Sequence, residues 1–231
     1  MHIPDGFINA TTSLGAGVVT LGGLGVAVRR SAATLEDRQV PLAGLVAAFV
    51  FAAQMLNFPV AAGTSGHLIG AVLAAVLVGP WAGALCLSVV LLVQALFADG
   101  GLTALGLNIL NLAFVAGLGG YALFLGLRKL LPKTRPAVAL SAGVASGFSV
   151  VLAATAFLVE YAFGANVGVP IGTVAGAMVG VHVLIGVGEG VITAMTVSAV
   201  LSIRPDLVHS ARDVSTPAFR APTKATAAVE G

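Results

Sequence analysis

The chain has 231 residues, of which 58% are apolar and 9% are charged. A soluble domain is about half apolar and a quarter charged, so this composition excludes an ordinary water-soluble globule and indicates a surface that faces lipid. The formal net charge of +2 comes from basic residues that form no single patch for nucleic acid. The only cysteine, Cys86, excludes an internal disulfide and a cysteine-based metal cage.

Seven apolar segments follow one another along the chain. A transmembrane helix needs about 20 mostly apolar residues, and we predict an all-α, polytopic transmembrane helical bundle of about seven spans. The predicted spans are 8–28, 40–57, 66–79, 81–98, 104–127, 137–159 and 174–203. The third is short and begins in a Gly-rich stretch, so we expect part of that stretch to enter the membrane as irregular backbone buried in protein.

The distribution of Lys and Arg predicts the orientation. All 11 basic residues follow the first, fifth or seventh predicted span. Basic residues concentrate in cytoplasmic loops, so we expect the amino terminus outside and the carboxy terminus in the cytoplasm. Asp5, Asp99 and Glu160 then lie on the outer side. Residues 205–231 are polar and aperiodic, and we expect them to form a disordered cytoplasmic tail.

The first two residues form a candidate metal chelate. The Met1 amine, the His2 amide nitrogen and the His2 imidazole together supply three nitrogens near one plane. A second imidazole, from His67 at the start of the third span, supplies the fourth nitrogen of a square typical of Ni(II) or Cu(II) and open to low-spin Co(II). An ionisable residue at membrane depth is a functional-site hypothesis; the competing interpretation is a packing histidine bonded to Thr64, Ser65 or a backbone carbonyl.

Other polar residues lie within apolar segments. Asn108 and Asn111 are three residues apart and share a helix face; they either bond neighbouring helices or, like Thr64 and Ser65, orient a ligand imidazole. His182 and Glu189 are seven residues apart on one face of the last span. The sequence leaves open whether they pair, line a water-filled path, ligate a metal or join helices.

The sequence contains no P-loop motif G-x-x-x-x-G-K-[ST]. It also contains neither H-E-x-x-H nor G-x-S-x-G. We therefore expect no enzymatic activity of its own, and active uptake would need energy from other subunits.

Several motifs resemble the CbiM/NikM family, the substrate-binding components of energy-coupling-factor (ECF-type ABC) cobalt and nickel transporters. They are Met-His-Ile-Pro-Asp-Gly-Phe at 1–7, Ala-Gln-Met-Leu-Asn-Phe-Pro-Val at 53–60, Gly-Thr-Ser-Gly-His-Leu at 63–68 and Gly-Leu-Asn-Ile-Leu-Asn at 106–111. The similarity covers about residues 1–200. One departure is the absence of the proline that often follows the opening motif, where Ile8, Asn9 and Ala10 stand instead.

The resemblance implies that the amino-terminal segment folds back into a central pocket. It implies that Met1, His2 and His67 bind Co(II) or Ni(II) as the transported substrate. Its implied partners are a transmembrane coupling (T) component, a pair of cytoplasmic ATPases and, in many members, a small accessory membrane subunit. The implied location is the cell inner (plasma) membrane, as a multi-pass protein.

The sequence thus predicts a transmembrane metal-binding domain at 1–204, with 1–7 as its metal-binding segment, followed by the tail at 205–231. The leading hypothesis is the substrate-capture component of an ATP-powered importer. The alternative is a self-sufficient secondary transporter or channel for divalent metal ions, with His182 and Glu189 along its path.

Overall fold

A computed structural model describes residues 2–60 and 65–214, except for the side chains of Arg38, Phe58 and Pro59. Each of the seven predicted spans overlaps one helix of the described chain, and the predicted helical architecture is confirmed. The helices are α1 (Ala10–Thr34), α2 (Val40–Gln54), α3 (Ala71–Val78), α4 (Pro80–Leu96), α5 (Leu105–Leu130), α6 (Arg135–Gly164) and α7 (Ile171–Ile203). Between α2 and α3, Phe58–Pro59 pairs antiparallel with Ser65–Gly66.

Local sequence accounts for the beginnings of the long helices. At α1, the Asn9 side chain accepts a hydrogen bond from the Thr12 backbone N–H at 2.9 Å and so caps the first turn of the helix. Thr134 caps α6 in the same way through Ala137 N–H at 3.4 Å. The middle of α5, Leu110–Gly119, is a π-helix, a rare geometry that widens the helix locally.

The helices differ in their ability to cross a membrane. Helices α1, α5, α6 and α7 are each long and apolar enough to span one, whereas α2 and α4 are shorter apolar helices. Helix α3 has only eight residues and rises about 12 Å. The prediction of a span over 66–79 was therefore wrong in its helical extent, because Gly70 and Gly79 adopt positive φ angles of 73° and 95° that bound the helix.

Helix α3 forms the centre of the bundle. All eight of its residues are buried, and it contacts α2, α4, α5, α6 and α7. Its turn into α4 is tight enough that a Cβ atom at Gly83 would lie 2.8 Å from the backbone nitrogen of Ala75. Only glycine permits this approach, so the Gly79-Pro80 break folds α4 directly back against α3.

Helices α6 and α7 pack through paired glycines. A Cβ atom at Gly143 would lie 2.6 Å from the carbonyl oxygen of Gly190, and one at Gly186 would lie 2.6 Å from that of Gly147. Small residues allow such backbone contact between membrane helices. The outward faces carry exposed large side chains such as Leu184, as expected for a surface in contact with lipid.

Residues 205–214 form two short 3₁₀ turns beside the bundle. Val208 is fully buried, and Arg128 of α5 forms an ion pair with Asp213 at 3.0 Å. This part of the predicted disordered tail is ordered, because an apolar side chain and an ion pair attach it to the helices. Residues 215–231 lie outside the described chain.

Candidate metal-binding site

The amino-terminal segment enters the bundle as non-helical backbone with a turn at Asp5 and Gly6. Ile3 and Phe7 are buried, and the Phe7 ring lies 5.9 Å and 5.7 Å from the ring centroids of Phe157 and Tyr161. Such distances are typical of packed aromatic pairs. Phe7 therefore anchors the segment against α6 and leaves its first residues to extend further inside.

Asn108 holds the main chain of Ile3 at two points. Its Oδ1 accepts a hydrogen bond from Ile3 N–H at 2.8 Å, and its Nδ2 donates to the Ile3 carbonyl at 3.1 Å. The Gly101 N–H donates to the same carbonyl at 2.9 Å. The predicted role of Asn108 near the site thus takes a specific form, since it fixes the peptide next to His2 rather than an imidazole.

The loop after α4 lies directly against this segment. A Cβ atom at Gly101 would lie 2.5 Å from the backbone nitrogen of Asp5, so no other residue fits there. Asp5 accepts hydrogen bonds from the Thr103 hydroxyl at 2.6 Å and the Thr103 N–H at 2.7 Å. These bonds lower the pKa of the Asp5 carboxyl, so Asp5 remains ionised and holds the loop closed over the segment.

His2 is buried, with 4% of its surface exposed. Its Nδ1 lies 2.9 Å from Asp99 Oδ1, and its backbone nitrogen lies 3.5 Å from Ser65 Oγ. Burial lowers the pKa of the imidazole, although the hydrogen bond to Asp99 opposes that effect. The ring is therefore neutral at pH 7, the form in which it binds metals.

Asp99 was expected on the outer side, together with Asp5 and Glu160, and had no predicted role. Burial would raise the pKa of its carboxyl, but hydrogen bonds from His2 and Asn57 outweigh burial and keep the pKa below its ordinary value. Asp99 begins an Asp-Gly-Gly turn directly after a predicted span. An acidic residue in a turn expected on the same side of the membrane as Met1 was the signal from which a role at the site could have been predicted.

His67 is fully buried next to His2. Their ring centroids are 4.2 Å apart, with 32° between the planes. The His67 Nδ1 lies 2.8 Å from the Leu68 carbonyl oxygen; a carbonyl only accepts, so Nδ1 carries the proton and Nε2 carries a free lone pair. In both rings Nε2 is buried and has no hydrogen-bond partner among the described residues.

The backbone after His67 is also fixed by side chains. The Gln54 Nε2 donates to the Ile69 carbonyl at 2.7 Å. The Glu189 carboxylate accepts from Ile69 N–H at 2.6 Å and from Gly70 N–H at 3.0 Å. These bonds satisfy the Ile69 carbonyl and the N–H groups of Ile69 and Gly70, as burial of irregular backbone requires.

The remaining sequence candidates have other hydrogen-bond partners or lie outside the described chain. Asn111 donates to Glu160 at 2.7 Å and forms no hydrogen bond with either histidine among the described residues. His182 is fully buried, with Nδ1 2.7 Å from the Met178 carbonyl and an unpartnered Nε2 within the described chain. Met1 and Thr64 lie outside the described residues.

Side chains alone do not form a metal cluster. In residues 2–60 and 65–214 there is no group of three or more His, Cys, Asp or Glu side chains placed to hold an ion. The pair that does meet is His2 and His67. An ion bound there would need ligands besides these two rings, and the opening Met-His motif offers a terminal amine and a backbone nitrogen.

These features define a multi-pass membrane protein with a buried pair of histidines. One histidine comes from the amino-terminal segment and the other from a non-helical segment inside the bundle. Residues 2–207 match the family model of CbiM, the cobalt uptake substrate-specific transmembrane region. The chain belongs to this family.

Named relatives and solved structures extend the match over most of the chain. A putative metal transport protein of Haloquadratum walsbyi is 42% identical over 91% of this chain and 94% of its own length. The fused nickel transport protein NikMN of Rhodobacter capsulatus is 36% identical over 94% of this chain and 66% of its own. A solved structure of a truncated transition metal transporter shares 33% identity, with a TM-score of 0.79 over 87% of this chain and 99% of that one.

Proposed function

We propose that this chain is the substrate-capture component of an importer for Co(II) or Ni(II). The observation that carries the proposal is the pairing of two buried imidazoles, with ring centroids of His2 and His67 4.2 Å apart. Related proteins named as nickel and cobalt transport proteins support the choice of ion. The ion would be substrate, bound and released in each transport cycle.

The proposed ligands are the Met1 amine, the His2 amide nitrogen and imidazole, and the His67 Nε2. Only the Nδ1 of a histidine can close a chelate ring with the amide nitrogen of the same residue, and in His2 this atom faces Asp99 at 2.9 Å. Chelation therefore requires the His2 ring to turn about its Cβ–Cγ bond and leave Asp99. Four nitrogens in a square favour Ni(II) and low-spin Co(II) over Zn(II), which prefers a tetrahedron.

The proposal includes division of labour between subunits. The chain carries no P-loop motif, so we propose that a T component and a pair of cytoplasmic ATPases, in some systems with a small accessory subunit, power import across the inner membrane. Metal uptake by cells that express this chain with and without such partners tests this part. Equal uptake without them would favour the secondary transporter.

A titration of purified protein with Ni(II) tests the site itself. His67→Ala removes one of four ligands, and we expect the Kd to rise at least about 10- to 100-fold, the range reported even for losses beyond the ligands themselves. His209→Ala is the matched control, because His209 lies in the segment after α7 and packs against Gly79, away from the site. Unchanged affinity in His67→Ala would remove His67 from the site.

A further inference from the structure

Glu189 is a wholly buried carboxylate of α7, with 1% of its surface exposed. Its Oε2 accepts from Ile69 N–H at 2.6 Å. Its Oε1 accepts from Gly70 N–H at 3.0 Å and from the Ser146 hydroxyl at 2.9 Å. Both oxygens are therefore engaged by donors of the protein.

This arrangement favours a structural role for Glu189 over a role in an ion pathway. A carboxylate that passes an ion along must offer a free oxygen to it, whereas the oxygens of Glu189 hold the main chain two and three residues after His67. The same peptide is held from the opposite side by Gln54 through the Ile69 carbonyl. The backbone that carries His67 thus has little freedom to shift while Glu189 keeps its place.

Glu189 also joins this backbone to two long helices. Ser146 belongs to α6, and its hydroxyl accepts a hydrogen bond from Thr193 of α7 at 3.0 Å. The Ile185 side chain of α7 also packs against Gly66, where a Cβ atom would lie 2.7 Å from Ile185 Cδ1. The position of the His67 segment is therefore set from α6 and α7.

We propose that Glu189 is a positioning residue for metal binding, which fixes the Ile69 and Gly70 amides so that His67 presents its Nε2 to the ion. This inference rests on the proposed function. It also makes affinity depend on α7, since a displacement of α7 relative to α3 moves or breaks these two hydrogen bonds. Loss of outer partners of this kind costs metal sites about 10- to 100-fold in affinity.

Glu189→Gln is the first test, because glutamine keeps the shape but turns an N–H₂ group toward a backbone N–H. We expect the Kd for Ni(II) to rise about 10- to 100-fold, with a changed visible absorption spectrum of the bound ion. Membrane insertion and gel-filtration profile should match the parent. The matched control is Glu160→Gln, which alters a carboxylate bonded to Asn111 outside the site and should leave the Kd unchanged.

A double variant separates positioning from general damage. If Glu189 acts through His67, then His67→Ala combined with Glu189→Gln should bind Ni(II) no more weakly than His67→Ala alone, since coupled residues are not additive. Additive losses would overturn the inference. A Kd for Glu189→Gln equal to that of the parent, with His67→Ala still weakened, would also overturn it and leave the proposed function standing.

Ser146→Ala keeps the inference testable if Glu189→Gln fails to fold. It removes one donor to Oε1 and leaves both backbone bonds, so we expect a smaller rise in the Kd, of several-fold. Parental affinity in this variant would count against a network that reaches His67 through Glu189. Parental affinity in His67→Ala would instead remove His67 from the metal site, and the premise of this inference with it.

Discussion

The carboxylate of Asp99 lies 2.9 Å from Nδ1 of His2, the nitrogen that chelation with the His2 amide requires. Asp99 and an incoming ion therefore compete for one atom. Asp99 also brings negative charge to the place where a cation arrives.

We expect Asp99→Asn to weaken Ni(II) binding by about tenfold. The neutral amide would bind the His2 imidazole less strongly by about 1 kcal/mol, the difference between a charged and an uncharged hydrogen bond. The lost attraction between the carboxylate and a divalent ion a few Å away exceeds this gain. Isothermal titration of the purified variant measures the balance. Tighter binding would mean that Asp99 acts only as a competitor.

Gly101→Ala should displace the amino-terminal segment. The added methyl group would lie 2.5 Å from the Asp5 backbone nitrogen, which forces the segment or the loop to move. We expect Ni(II) affinity to fall by at least about tenfold, as for other losses around a site, while the helical circular dichroism signal stays the same. Gly126→Ala is the control, because nothing lies within 4 Å of a Cβ atom there.

One residue added before Met1 should abolish high-affinity metal capture. The proposed chelate uses the Met1 amine, and an added residue converts that amine into a peptide nitrogen and moves the charged terminus outward. An addition after Gly231 should be tolerated. Metal content per chain, measured for the two forms after equal membrane insertion, decides between them; equal content contradicts the terminal chelate.

Metal affinity should fall as the pH is lowered. Ligand nitrogens must lose their protons to bind, so binding releases protons, and each proton in competition costs about tenfold per pH unit below the pKa of its group. Burial lowers the pKa of His2, so its imidazole begins to compete only below the ordinary value of about 6.5. Titrations across mildly acidic to mildly alkaline pH test this, and a flat profile would point to oxygen ligands.

The sequence predicted the helices well where apolar length decides the outcome. It failed to predict where α3 begins. The apolar run at 66–79 does not show that the N–H groups of Ile69 and Gly70 donate to Glu189 instead of continuing the helix. It also did not show the contacts of residues 205–214, where Val208 and Ala211 are buried and Asp213 forms an ion pair with Arg128. Local composition carries no information about such partners, which are distant in sequence.

For the site, the motifs predicted His2 and His67, and the structure brings these two rings together. Asp99 and Gln54 had no assigned role because each acts through a contact more than ten residues away. For Asn108 the sequence left open a bond to a neighbouring helix or to a ligand imidazole, and the structure shows its amide bonded to the Ile3 backbone. The sequence shows that these polar residues lie in or next to apolar segments, but only the fold shows which groups they bond to.

The glycine contacts between α6 and α7 have a mechanical consequence. At Gly143 and Gly190 and at Gly147 and Gly186 the backbones of the two helices meet directly, so no side chain separates them at these contacts. Ser146 and Glu189 stand beside these contacts and share a hydrogen bond of 2.9 Å. A displacement of α6 would therefore carry α7 with it, and with α7 the two hydrogen bonds that hold the backbone after His67.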